Sequence, residues 1–210
     1  MTKKERAVQA VEILKELYPE AICSLTASNP FELLVAVRLS AQCTDARVNL
    51  VTPALFERYK TIEDYAAADV KEVEKYIHSC GFYKHKAESI VGMAQKVLAD
   101  FDGKVPDTIE DLITLPGVGR KTANLIVGDI YGKPAIVVDT HCIRITNRIG
   151  LVAEKDPKKI EFLLKKIIPA EEGSDFCHRL VLFGRDVCSA RKPLCDTCKM
   201  SEICKKVGVK

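Results

Sequence analysis

Leu115-Pro116-Gly117-Val118-Gly119-Arg120-Lys121-Thr122-Ala123 sets two glycines two residues apart behind a proline. Proline fixes φ near −65° and glycine accepts φ > 0 without a Cβ clash, so the stretch reads as a tight turn. The residues from Arg120 to about Tyr131 carry a helical pattern, and the turn therefore delivers unpaired backbone N–H groups at a helix start. Such a place binds anions, phosphate above all. Upstream, Thr108-Ile109-Glu110-Asp111-Leu112 opens with a capping pattern and reads as a short helix. Helix, glycine turn and helix, over about residues 108–131, form a grip for a nucleic-acid backbone that does not read bases.

Arg120 and Lys121 place two cations in the first turn of that helix, where the dipole prefers acidic residues. A positive charge is disfavoured there, which favours the amine form of Lys121, and an amine is a nucleophile. For an arbitrary lysine the default is a solvated or phosphate-facing cation; the adjoining turn is what raises this one.

The chain has 210 residues, long enough for one large domain or two small ones, with 47% apolar and 29% charged residues. This is a globular balance that excludes extensive disorder. No apolar run is long enough to span a bilayer, and the charged start, Met1-Thr2-Lys3-Lys4-Glu5-Arg6, is unlike a secretory leader. A soluble, intracellular protein is expected, with no membrane partner. Net charge is only +3, yet residues 188–210 hold Arg191, Lys192, Lys199, Lys205, Lys206 and Lys210 against Asp196 and Glu202. That local surplus points to a polyanionic partner, although a solvated surface is the commoner fate of such a run.

Sustained alternation of period 2 is missing and helix signals are many, so the fold class is all-α. Ala7, Val11, Leu14 and Tyr18 share a helical face that Pro19 ends; Pro30 to about Cys43 reads as a helix buried all round; Pro53 is expected to kink or break a helix from Thr44 to Tyr59. Thr61, Asp69, Asp139 and Asp156-Pro157 read as helix starts. Ile160, Leu163, Leu164, Ile167 and Ile168 form the apolar face after the last of these, and a final long helix runs from about Ser174 to Val187.

Of nine cysteines, Cys23, Cys43, Cys80, Cys142 and Cys177 sit singly in apolar contexts and read as reduced buried thiols. Cys188, Cys195, Cys198 and Cys204 instead follow C-x6-C-x2-C-x5-C. Four thiolates so close repel one another, and a metal centre resolves the repulsion. Zinc is the general default for four cysteines, but only one pair here is tight. A wide first loop suits a [4Fe-4S] cubane, and spacing alone leaves the two metals near even. Disulfides are the weakest option in such a chain. The basic loop Ser189–Leu194 between the first two ligands is expected to touch phosphate through Arg191 and Lys192.

Taken together, LPGVGRKTA, the VDTH of Val138–His141 and the cysteine spacing resemble the endonuclease III family, bifunctional DNA glycosylase/AP lyases of the helix-hairpin-helix glycosylase superfamily. The similarity runs from Phe31 onward. It implies two lobes: a six-helix barrel with the hairpin over residues 23–133, and a discontinuous [4Fe-4S] cluster domain of residues 1–22 plus 134–210. It also implies that DNA lies across both lobes. Lys121 would attack C1′ of a damaged pyrimidine nucleotide and form a Schiff base, with Asp139 stabilising the developing cationic sugar. The resemblance makes Cys188, Cys195, Cys198 and Cys204 the cluster ligands. Gly117, Gly119 and His141 would contact DNA, Gln42 would fill the gap left by an extruded nucleotide, and Phe82 would part a base step. Leucine is commoner at the wedge, so Phe82 is a departure. Without the resemblance, Gln42 reads as a surface amide, Phe82 as core and Asp139 as a cap. The expected partner is double-stranded DNA with a damaged pyrimidine or an abasic site, met by a monomer in a prokaryotic cytoplasm.

Two other readings stand beside this one. Adenine mismatch glycosylases of the same superfamily share the hairpin and cluster but lack the lysine; their acid aligns near Arg38, which cannot donate in that way. They usually carry a further carboxy-terminal domain, whereas this chain ends six residues after Cys204. A metal-stabilised DNA-binding module without catalysis is the alternative from another class.

Overall fold

A computed structural model describes residues 1–209; Lys210, part of the basic tail, lies outside the described residues. Every regular element among them is helical. In chain order these are α1 (Lys3–Leu17), α2 (Pro30–Ser40), α3 (Asp45–Arg58), α4 (Ile62–Ala66), α5 (Val70–Ile77), α6 (Tyr83–Phe101), α7 (Ile109–Leu112), α8 (Arg120–Asp129), α9 (Thr140–Ile149), α10 (Pro157–Leu164) and α11 (Gly173–Asp186). Single 3₁₀ turns follow at His78–Cys80, Ala170–Glu172 and Cys195–Thr197. None of the helices is long and apolar enough to cross a membrane.

The chain divides into two compact units, Ser24–Tyr131 and Met1–Cys23 with Gly132–Lys210. In the first, α6 is the organising helix and packs against α2, α4 and α5. Its Ala87, Ile90, Met93, Ala94 and Val97 are fully buried, and α2 answers with Leu34, Val35, Ala36 and Leu39. Burying aliphatic side chains of this size is worth about 1.5–3 kcal/mol each, the main source of stability for helices this short. α2 is not buried all round, for Val37 and Arg38 are partly exposed. Pro53 does not break α3. Val48, Thr52 and Leu55, all but fully buried on either side of it, hold both halves against the core.

In the second unit, α11 packs against α1 and α9. The cores meet through Ala7, Ala10, Val11 and Leu14 of α1, Cys142 and Ile145 of α9, and Phe176, Leu180 and Phe183 of α11. A Cβ at Gly184 would fall 2.3 Å from His141 Nδ1, so only glycine lets α9 and α11 approach as they do. Leu163 was expected on the apolar face of α10 but is 41% exposed. The last turn of α10 faces Glu161 and Leu164 inward and leaves Phe162 and Leu163 outward. Cys80, Cys142 and Cys177 are buried as expected, whereas Cys23 and Cys43 are only half-buried. Both lie in connections between helices, where no second layer covers them.

Candidate active site and metal centre

Thr108 caps α7, its hydroxyl accepting from Asp111 N at 3.2 Å and donating to the Asp111 carboxylate at 2.7 Å. Leu112, Leu115 and Val118 bury themselves beneath the turn that follows. Val118 N donates to Leu115 O at 3.1 Å, with Pro116 and Gly117 between them and Gly117 at φ +74°. That is a type II turn, with proline and glycine each where the turn requires them. Gly117 is required twice over, because a Cβ would also stand 2.6 Å from Arg38 Nε and 2.9 Å from Ser89 Oγ. Gly119 is the N-cap of α8 at φ −96°, has no side chain to cap with, and would meet nothing within 4 Å if it had one. Lys121, in the first turn of α8, is exposed. Gly117→Ala is therefore expected to cost about 1–3 kcal/mol in denaturant unfolding, and Gly119→Ala clearly less.

Gln42 and Phe82 are both exposed, and both hold left-handed backbone, at φ +55° and +48°. Non-glycine residues in that region cost of order 1–3 kcal/mol and collect at functional sites. Phe82 is 67% exposed, so it is not core. The two loops adjoin, since the carbonyl of Gln42 lies 4.0 Å from where a Gly81 Cβ would be. Beneath them Lys86, 1% exposed, donates from Nζ to Leu39 O at 2.8 Å and to Cys80 O. One ammonium thus ties the end of α2 to the turn before Phe82. Burial lowers the pKa of Lys86. Burial also pushes the Cys80 thiol up to about 11, with Cys43 beside it adding to the rise. Lys86 is a positioning residue that sequence reasoning passed over. Its signal was its place on the helical face of Ile90, Met93 and Val97.

In the other unit, the buried run Ala135–Val138 delivers Asp139 as the N-cap of α9, partly exposed, with Oδ1 accepting from Cys142 N at 2.7 Å. His141 Nδ1 lies 3.1 Å from Arg144 Nη2, and Arg144 also donates to Gly184 O at 3.2 Å and Cys188 O at 3.1 Å. Cys188, Cys195, Cys198 and Cys204 are half-buried and line a single apolar cavity with Ile149, Phe183, Val187 and Met200. Burial pushes the Cys198 and Cys204 thiols up. Among the described residues no three His, Cys, Asp or Glu side chains gather to hold a metal ion. The four thiols surround a space rather than a point. Their donor set is all sulfur, which suits zinc or an iron–sulfur centre, and a cubane is the wider of the two.

Arg148, 9% exposed, fastens the ligand loop: it donates to Ser189 O at 2.7 Å, to Ala190 O at 2.8 Å and to Cys188 Sγ at 3.4 Å. Ser189 Oγ donates to Lys192 O at 2.7 Å, and the loop leaves Arg191 and Lys192 exposed. Arg6, also buried, donates to Ile203 O at 2.9 Å and pins α1 to the end of the same segment. Neither arginine was singled out from the sequence, because nothing local distinguishes a buried arginine from a solvated one.

Residues 35–170 match the family described as HhH-GPD superfamily base excision DNA repair protein. The chain is 48% identical to endonuclease III of Synechocystis sp. over 204 residues, covering 97% of this chain and 93% of that protein. The endonuclease III of Bacillus subtilis is 45% identical over 192 residues, covering 91% and 88%. The chain belongs to the endonuclease III family. It is a DNA-binding enzyme of base excision repair, a DNA glycosylase and AP lyase. Its fold is that of a solved endonuclease III in a trapped covalent intermediate with DNA, at TM-score 0.91 and 43% identity over 98% of this chain and 97% of that one. A thermostable thymine-DNA glycosylase is similar at TM-score 0.86 and 26% identity, covering 97% and 96%.

Proposed function

We propose that this member of the family removes oxidised pyrimidines from duplex DNA and nicks the resulting site through Lys121. The observation that carries the reading is Lys121 itself, an exposed side chain two residues past Gly119, the N-cap of α8. Its Nζ attacks C1′ as the glycosidic bond breaks, and the departing base takes the proton. The sugar ring opens to an iminium between C1′ and Nζ. That iminium acidifies C2′–H; loss of the proton expels the 3′ phosphate by β-elimination, and water then releases the unsaturated aldehyde and the amine. Asp139, held as a cap with Oδ1 on Cys142 N, supplies negative charge to the developing cationic sugar and helps manage the lysine's proton. The covalent intermediate trapped in the 43%-identical relative is the same class of species.

Gln42 and Phe82, raised on their strained loops, fill the gap and part the base step once the nucleotide is extruded. Gly117, Gly119 and His141 contact the DNA backbone. Cys188, Cys195, Cys198 and Cys204 hold a [4Fe-4S] centre, which when bound supplies a rigid anchor for the loop bearing Arg191 and Lys192. Arg148 orients that loop from within. The protein works as a monomer on cytoplasmic, nucleoid DNA. Arg191→Ala with Lys192→Ala should weaken DNA binding and lower its salt slope by about 1.8, leaving the visible iron–sulfur absorbance intact.

The test is product analysis on duplexes carrying oxidised pyrimidines. Base release followed by a nick with a 3′ unsaturated aldehyde is expected; base release with intact strands would reject the lyase step.

A further inference from the structure

Arg38 lies in the last turn of α2, partly exposed, and its Nε is buried with no hydrogen-bond partner among the described residues. That nitrogen sits against the glycine turn, 2.6 Å from where a Gly117 side chain would begin. An unmet N–H at such a place is costly, and more so on a charged group. Among the described residues no ion pair neutralises it. Burial alone weakens the hold of the guanidinium on its proton, with no carboxylate contributing. The neighbouring charge is Lys86, another cation, whose Nζ is met by the carbonyls of Leu39 and Cys80. Two neighbouring cations, with no carboxylate acting on Arg38, make a site whose counter-charge comes from outside the protein.

We propose that Arg38 contacts a DNA backbone phosphate, adding to the glycine turn an un-neutralised guanidinium that reaches the anion from behind Gly117. The proposal rests on the DNA-lyase reading above and extends it by one residue. It gives Gly117 a second purpose. Any side chain there would occupy the space of the guanidinium, so the turn and the arginine belong to one cradle. A guanidinium suits this because its planar fork meets phosphate oxygens in pairs.

The test is a salt titration of binding between the full chain and a duplex carrying a reduced abasic-site analogue, for the wild type, Arg38→Gln and Arg38→Lys. Losing one phosphate contact lowers the slope of log affinity against log salt by about 0.9, so between about 50 and 200 mM salt Arg38→Gln loses roughly 3.5-fold less affinity than the wild type. Arg38→Lys, which keeps the charge, should keep the slope. An unchanged slope in Arg38→Gln, or an equal fall in Arg38→Lys, overturns the assignment. Arg38→Met keeps the aliphatic stem and is read in the same way if Arg38→Gln proves too unstable to titrate. Nicking of abasic DNA by the wild type, measured alongside, separates the two ideas: its absence counts against the lyase reading, whereas the slope reports on Arg38 alone.

Discussion

Lys121→Gln is expected to abolish nicking of abasic-site DNA while leaving the complex with that DNA largely intact. The amide nitrogen of glutamine shares its lone pair with the carbonyl and cannot form a C=N bond to C1′. The step that acidifies C2′–H is therefore lost, with a fall in rate of about 10⁴–10⁶-fold, the size seen when a covalent nucleophile is removed. Binding should change little, because the type II turn and the uncapped start of α8 are backbone features that the substitution does not touch. Losing one surface cation weakens affinity by about fivefold at most. Gel-shift and nicking assays on the same duplex separate the two effects. A variant that nicks at a tenth of the wild-type rate would contradict the assignment.

Cys198→Ser is expected to release the C-terminal segment. Residues 188–209 contain one 3₁₀ turn, and their apolar burial rests mainly on Met200 and Ile203. The tethers that also hold them include Arg148 on Ser189 O and Ala190 O, Arg144 on Cys188 O, Arg6 on Ile203 O, Lys205 N on Ile149 O, Val207 N on Arg148 O, and the Lys199–Glu16 pair. The exposed pair contributes about 0–1 kcal/mol. So little core cannot order a segment of this length, and metal binding there is part of the folding free energy. The variant should lose most of its bound iron and visible absorbance, and limited proteolysis should cut first within residues 188–209. Cys23→Ser, in a half-buried connection away from the cavity, should change neither. Full iron content in Cys198→Ser would contradict the ligand assignment.

Features decided within a few residues of themselves were legible in the sequence. Thr61, Thr108, Asp139 and Asp156 cap the helices they announce, each accepting a backbone N–H within three residues. The proline-glycine turn is equally local. What stayed hidden depends on partners distant in the chain. Lys86 meets Leu39 O across 47 residues, Arg148 meets Ala190 O across 42, and Arg6 meets Ile203 O across 197. Each is a cation satisfied by carbonyls, and no spacing rule marks a carbonyl as free. Cys43 and Leu163 failed for the converse reason: apolar neighbours in sequence did not bring a covering layer in space. Phe82 lay between these cases. Gly81 marked a turn, but that the next residue would also be left-handed and exposed followed only from the loop's anchoring by Lys86.

If Lys121 is the nucleophile, its amine becomes covalently bound to the sugar during turnover. Reduction with borohydride in the presence of an abasic-site duplex, followed by peptide mapping, tests it most directly. A stable protein–DNA adduct whose modified residue is Lys121 is expected, and none in Lys121→Ala. An adduct carried by another lysine, or nicking without any adduct, would contradict it.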